Sequence, residues 1–187
     1  MVDPIRNKKQ LKGLAEYFLA RKQYRNHALV VVGVCTALRI GDLLSLKWVD
    51  VYNFEGGGFS THINLTEQKT GKSKTIALNK QAVEALRLYF PHKRGEYIFP
   101  NNRQNANAIS RTQAWRIIRT AAEAMNLTGR IACHSLRKTF GYFAWMSGVQ
   151  PVMLMDLFNH SSFEITRRYL GISQDERDKV YLKMALF

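Results

Sequence analysis

Two histidines, an arginine and a tyrosine stand in a fixed order within residues 133–171, as His134-Ser135-Leu136-Arg137, then His160, then Tyr169. Earlier in the chain, Arg39 sits between two apolar helical segments, and Lys69 lies in the polar turn Gln68-Lys69-Thr70-Gly71-Lys72-Ser73. A tyrosine hydroxyl can attack a phosphodiester, but its unperturbed pKa of about 10 means that a base must help it lose its proton at neutral pH. Arginine is planar and permanently charged. It therefore pairs bidentately with the non-bridging oxygens on which charge accumulates in the transition state, a task suited to Arg39 and Arg137. The leaving 5′ oxygen needs a proton donor that reaches in from outside a rigid pocket, and a lysine at a hairpin tip, Lys69, meets that need. His134 is then available as acid or base, and His160 as a hydrogen-bond donor to the phosphate. The arginines supply the charge that Mg²⁺ supplies in other phosphoryl-transfer sites, so this reading calls for no metal and no cofactor.

The elements that must position these side chains follow from periodicity and caps. Apolar residues at three- and four-residue steps (Leu11, Leu14, Ala15, Phe18, Leu19) mark an amphipathic helix over residues 8–22. A buried helix is expected from a cap at Asn26 to Leu38, with a shorter one over residues 39–46. Residues 49–54, 59–67 and 74–78, separated by Gly56-Gly57-Gly58 and by the Lys69 turn, read as a small three-stranded antiparallel sheet. Asn79 and Ser110 cap helices ending near Phe90 and Met125. Further helices are expected over residues 135–147, from Pro151 to Phe158, from Ser161 (Ser-x-x-Glu capping box) to Gly171, and over residues 173–187. The architecture is thus mainly α with one small sheet.

The 187 residues carry 28 Lys and Arg against 14 Asp and Glu, a net charge of +14 spread along the chain. Such a spread points to a polyanionic partner, because cationic groups gain affinity by releasing counterions condensed on phosphates. Arg111, Arg116 and Arg119 share one helix and read either as a solvated face or as backbone phosphate contacts. Lys72 and Lys138 are further candidates for contact with DNA. Cys35 and Cys133 form no Cys-x-x-Cys pair and lie in apolar surroundings, as reduced thiols do. The longest apolar run, residues 28–38, is far shorter than the roughly 20 residues of a membrane span, and no leader peptide pattern opens the chain. A cytoplasmic protein without membrane association is expected.

Taken together, these residues resemble the catalytic domain of the tyrosine recombinases, or phage integrase family, over nearly the whole chain from about Lys8. The family's first motif matches Thr36-Ala37-Leu38-Arg39-Ile40-Gly41-Asp42-Leu43-Leu44-Ser45-Leu46, its hairpin lysine matches Lys69, and its His-x-x-Arg box matches His134 and Arg137. Its later His or Trp matches His160, and its nucleophile matches Tyr169 in Arg167-Arg168-Tyr169-Leu170-Gly171. The resemblance implies the DNA breaking-rejoining enzyme fold. It also implies site-specific recombination through a covalent 3′-phosphotyrosine, without metal or ATP, on double-stranded DNA, by a protein that is a monomer alone and a tetramer on recombining sites. Asp42 stands where the family more often has Glu and is expected to support Arg39. Asn159 stands where Gly is commoner; Asn tolerates left-handed backbone next best.

Residues 1–187 read as a single catalytic domain, without the core-binding or arm-binding domains that many members carry. This fits an excised domain or the short fimbrial-inversion recombinases. In the family the C-terminal tail often docks on a neighbouring protomer, and the apolar face of residues 173–187 suits that exchange. Two other classes share much of the pattern: type IB topoisomerases, which relax DNA with nearly the same residues, and a catalytically idle DNA-binding module.

Overall fold

The computed structural model describes residues 2–172, 178 and 181–184. Helix α1 (Lys8–Leu19) starts at Asn7, whose side-chain oxygen accepts hydrogen bonds from the backbone N–H groups of Lys9 and Gln10, and it buries Leu14 and Phe18. Helix α2 (Tyr24–Thr36) is the apolar run, and it packs against α1, against α4 (Lys80–Tyr89) and against α6 (Cys133–Met146). It begins earlier than the expected Asn26 cap. Asn26 lies inside the first turn, where its amide oxygen accepts from the Arg25 guanidinium at 3.1 and 3.0 Å and its amide donates to Gln23. An asparagine satisfied by its neighbours in this way has no need to cap.

Ala37 adopts left-handed backbone (φ 52°) and ends α2, after which Leu38 is buried and Arg39 enters the short helix α3 (Ile40–Ser45) in extended conformation. Among the described residues the sheet has two strands, not the expected three: β1 (His62–Thr66) and β2 (Ser73–Ala77) pair antiparallel with His62 opposite Ala77 and Thr66 opposite Ser73. Residues 49–54 fail to form the third strand because Trp48 is buried in a 3₁₀ turn, Trp48–Asp50, which the Asp50 carboxylate closes by accepting from the Lys47 N–H. Beyond it only Tyr52 and Phe59 pair across the glycine turn, and Tyr52, Phe54 and Phe59 gather against Phe90 instead of extending the sheet.

Helix α4 is capped by Asn79, which accepts from Ala82 N–H, and α5 (Arg111–Ala124) by Ser110, which accepts from Gln113 N–H. Helix α6 begins two residues before the expected Ser135, whose hydroxyl bonds back to the Ala132 N–H from within the first turn. Helix α7 (Pro151–Phe158) ends on left-handed Asn159 (φ 54°), as the sequence allows. Helix α8 (Phe163–Leu170) is capped by Ser162, one residue after the expected start, and stops on Gly171 at φ 69°. The helix expected over 173–187 lies largely outside the described residues.

Among the described residues, three apolar clusters hold this arrangement. The largest joins α2, α3, α4 and the sheet through Leu29, Val32, Trp48, Ile63, Leu86 and Phe99, and the second joins α1, α5 and α6 through Leu14, Phe18, Ile118 and Leu136. The third lies between α6, α7 and α8, around Leu154, Phe158 and Leu170. Residues ahead of α1 run beneath α6: Ile5 N–H donates to the Thr139 hydroxyl (2.8 Å), Lys138 donates to the Val2 carbonyl (2.9 Å), and Arg6 donates to the Gly171 carbonyl (2.6 Å). No helix among the described residues is long and apolar enough to cross a membrane.

Candidate functional site

The corner between α2 and α3 presents Arg39, and α6 brings Arg137 to the same corner. Arg137 is 5% exposed and donates to the Ala37 carbonyl and, at 3.3 Å, to the Phe158 carbonyl at the end of α7, with its guanidinium 4.7 Å from the Phe158 ring centre. A buried arginine holding two carbonyls from distant segments is rigid as well as charged. Burial pulls its pKa down, opposed chiefly by the charge of the nearby Tyr169.

Tyr169 lies near the end of α8. Its ring leans on Phe158 (5.5 Å between centroids), meets His160 edge-on (5.2 Å), and carries the Lys138 ammonium over its face at 4.9 Å. Burial raises the Tyr169 pKa, while Arg137, by charge and by hydrogen bond, and Arg39 oppose the rise. The phenol is therefore protonated at neutral pH.

His160 follows the left-handed Asn159 turn, with its Nδ1 3.1 Å from the Thr166 hydroxyl on α8. That hydroxyl also lies 3.3 Å from the Ser162 carbonyl and has one proton to give. Given to Nδ1, it leaves His160 Nε2–H free to donate. His134 is exposed at the second position of α6. Partial burial, followed by the charges of Arg137, Lys138, Arg39 and Lys69, lowers its pKa, and burial followed by Arg137 and Arg39 lowers that of His160. Both imidazoles are neutral at pH 7.

Lys69 is exposed on the β1–β2 turn, close enough for its charge to act on His134. The turn is pinned on its β2 side. Lys72 donates to the Asn159 side chain and Lys74 to the Leu157 carbonyl, each at 2.8 Å, so the hairpin is tied to the end of α7 just before His160.

Asp42 does not hold Arg39. Its Oδ1 accepts from the Gln68 N–H at 2.9 Å and its Oδ2 has no hydrogen-bond partner, so it anchors the base of the hairpin. The carboxylate against Arg39 is Glu67, 1% exposed, with Oε1 2.6 Å from the guanidinium. Sequence reasoning took Glu67 only as the end of a strand. The available signal was a lone acid between apolar β residues and a turn with lysines at 69, 72 and 74. Thr166 was missed as well, and no local pattern marks it.

The candidate DNA contacts divide. Arg111 opens α5 with its guanidinium packed over Gly41, where a Cβ would come within 2.6 Å of it, which places this cation beside α3. Arg116 is exposed on the same helix, whereas Arg119 pairs with Glu123 one turn on. Lys138 is 2% exposed with its amine taken by the Val2 carbonyl, so it faces inward and not toward a ligand in solution.

The model of the phage integrase family matches residues 7–176. The chain belongs to that family. Among relatives of this integrase-family protein, the probable integrase/recombinase YoeC of Bacillus subtilis is 37% identical over 182 residues, covering 97% of this chain and 96% of YoeC. Tyrosine recombinase XerD of Listeria monocytogenes is 25% identical over 162 residues, 84% of this chain but 53% of XerD, so the chain spans about half the length of that relative. The fold of XerA recombinase superposes with a TM-score of 0.77 at 21% identity, covering all of this chain and 67% of XerA. That of a lambda integrase dimer bound to a core site superposes at 0.69 and 18% identity, over 91% of this chain and 48% of the other.

Proposed function

We propose that this integrase-family protein carries out site-specific DNA recombination, with Tyr169 as the nucleophile that opens a phosphodiester. The reading rests on Tyr169 and the buried Arg137 packing on the same Phe158 ring, with His160 edge-on to Tyr169 and Arg39 close enough for its charge to act on the phenol. In that arrangement a phosphate held by the two arginines meets the attacking oxygen at the same place. Oxygen attack on phosphorus forms the 3′-phosphotyrosine and expels the 5′ oxygen, which takes a proton from Lys69. The proton of Tyr169 passes to neutral His134, and His160 donates a hydrogen bond to a non-bridging oxygen. One ester replaces another, so the reverse attack by a 5′-hydroxyl of a partner strand completes exchange without ATP. Exchange on two duplexes calls for four protomers, and the apolar face of 173–187 is our candidate for the link between neighbours. Arg111, Arg116 and Lys72 extend the cationic surface along which the backbone would lie.

The test is a nicked suicide duplex, from which the strand 3′ to the cut is lost and the adduct is trapped. A gel-stable adduct with the wild-type protein, absent in Tyr169→Phe while duplex binding persists, is expected. Equal adduct in Tyr169→Phe would refute the nucleophile, and binding without any adduct would leave a DNA-binding module. Relaxation of a plasmid lacking paired sites, with no exchange between sites, would place the reaction with the type IB topoisomerases.

A further inference from the structure

Glu67 is the most enclosed acid near the site, and the chemistry of strand transfer gives it no direct task. Its Oε1 contacts Arg39 at 2.6 Å and Lys74 at 3.4 Å, and its Oε2 accepts from the Thr70 hydroxyl at 2.7 Å. Its backbone is the hinge of the Lys69 turn, since Glu67 N–H donates to the Lys72 carbonyl and the Glu67 carbonyl accepts from Gly71 N–H, each at 2.9 Å. One residue thus touches the arginine at the α2–α3 corner, the turn that carries Lys69, and, through Lys74, the end of α7 ahead of His160.

Two explanations compete with a positioning role. A plain buried ion pair is a poor device for stability, because desolvating both ions offsets most of their attraction, and apolar side chains of similar volume do as well or better. An inhibitory latch would occupy Arg39 until DNA displaced Glu67. Against the latch, Glu67 meets Arg39 through the enclosed Nη1, while the arginine keeps 20% of its side-chain surface open. The guanidinium is thus gripped at one nitrogen, with its open part left to meet another acceptor.

We propose that Glu67 is a positioning residue: it fixes Arg39 against the scissile phosphate and registers the Lys69 turn to the same point. This rests on the transesterification reading above. Phosphate bound by a misplaced Arg39 would still bind, but the reacting oxygen would no longer be in line. Glu67→Gln keeps the shape and an acceptor for Thr70 while removing the charge that fixes Arg39.

The measurement is the rate of adduct formation on the suicide duplex at saturating DNA, for wild type, Glu67→Gln, Arg39→Lys and the double variant, with melting curves and duplex affinity alongside. Glu67→Gln is expected to slow adduct formation by about 10- to 100-fold, the range for a displacement near 1 Å. Its duplex affinity should stay equal or rise, because one negative charge is lost. In the Arg39→Lys background the same substitution should change the rate by no more than about twofold, since independent effects add and shared ones do not. An equal loss in both backgrounds shows a merely structural role, and a faster Glu67→Gln shows a latch; either overturns the proposal. If Glu67→Gln does not fold, Glu67→Asp, which keeps the charge and shortens its reach, is taken through the same two backgrounds under the same criterion. Absence of adduct with wild type would defeat the reaction itself, whereas wild-type adduct with Glu67→Gln undiminished would defeat only the role of Glu67.

Discussion

Gly141, in the middle of α6, packs directly against Phe158 of α7 and Leu170 of α8, and replacing it by alanine should destabilise the protein. A Cβ there would lie 2.5 Å from the Leu170 Cδ2 and 2.6 and 2.8 Å from the Cζ and Cε2 of Phe158. Leu170 can rotate a methyl aside, but the Phe158 ring is 1% exposed, lies beneath the Arg137 guanidinium and is packed against His160 and Tyr169. Overpacking of this kind costs about 1–3 kcal/mol, against about 0.5–1 kcal/mol gained by replacing a helical glycine with alanine. The steric cost exceeds the gain over most of that range, giving a net loss of up to about 2.5 kcal/mol, or up to about 10 °C in melting temperature for a chain of this size. Gly13, in the middle of α1, is the control. Its Cβ would meet only the Met125 Cε, at 2.8 Å, the end of a flexible side chain, so Gly13→Ala should raise the melting temperature by about 1–4 °C. Thermal melts followed by circular dichroism measure both. In addition, Gly141→Ala should slow adduct formation well below its melting temperature, because the displaced ring carries His160 and Tyr169 with it. If Gly141→Ala melts at or above wild type, or shifts in the same direction as Gly13→Ala, the packing argument is wrong.

Two pH dependences follow from the same geometry. Burial opposes ionisation of Glu67, but Thr70, Arg39 and Lys74 together outweigh it and hold its pKa down at about 2 from an ordinary 4.5. Its contribution is therefore complete above the unfolded value and is lost as pH falls from 4.5 toward 2, so urea unfolding of wild type and Glu67→Gln should converge on acidification; a pH-independent gap would contradict this. His134 is depressed by burial and by its cationic neighbours, so with the neutral imidazole as base the adduct rate should rise with pH to a plateau, with its inflection below the ordinary value of about 6.5. Rate profiles of wild type and His134→Gln test this: the inflection should vanish in the variant, and an inflection above 6.5 in wild type would exclude His134 as the base.

Features written into adjacent residues were legible in the sequence. Asn79 and Ser110 cap the helices they precede, Pro151 opens α7, and Gly171 closes α8, because each acts on backbone groups within one turn. The six residues singled out for chemistry converge on one region, although Arg39 and Arg137 are about a hundred positions apart. What sequence did not yield depends on contacts between distant segments. Asp42 was the acid nearest Arg39 in sequence, yet the hairpin delivers Glu67 to the guanidinium and takes Asp42 for its own base. Lys138 reads as one more cation for DNA until the residues ahead of α1 cover it. Residues 49–54 have strand-like composition, but burial of Trp48 and the attraction of Phe90 for the neighbouring rings outweigh pairing with β1.

The residues ahead of α1 also form a mechanical path. Val2 and Ile5 are bonded to Lys138 and Thr139, next to Arg137 on α6, and Arg6 is bonded to the residue two places after Tyr169. Tension applied to this end of the chain, by a tag or by a tethered DNA-binding module, is therefore transmitted to the two helices that carry Arg137 and Tyr169. A fusion there acts as a lever on these two side chains, and its linker length becomes a variable of any assay.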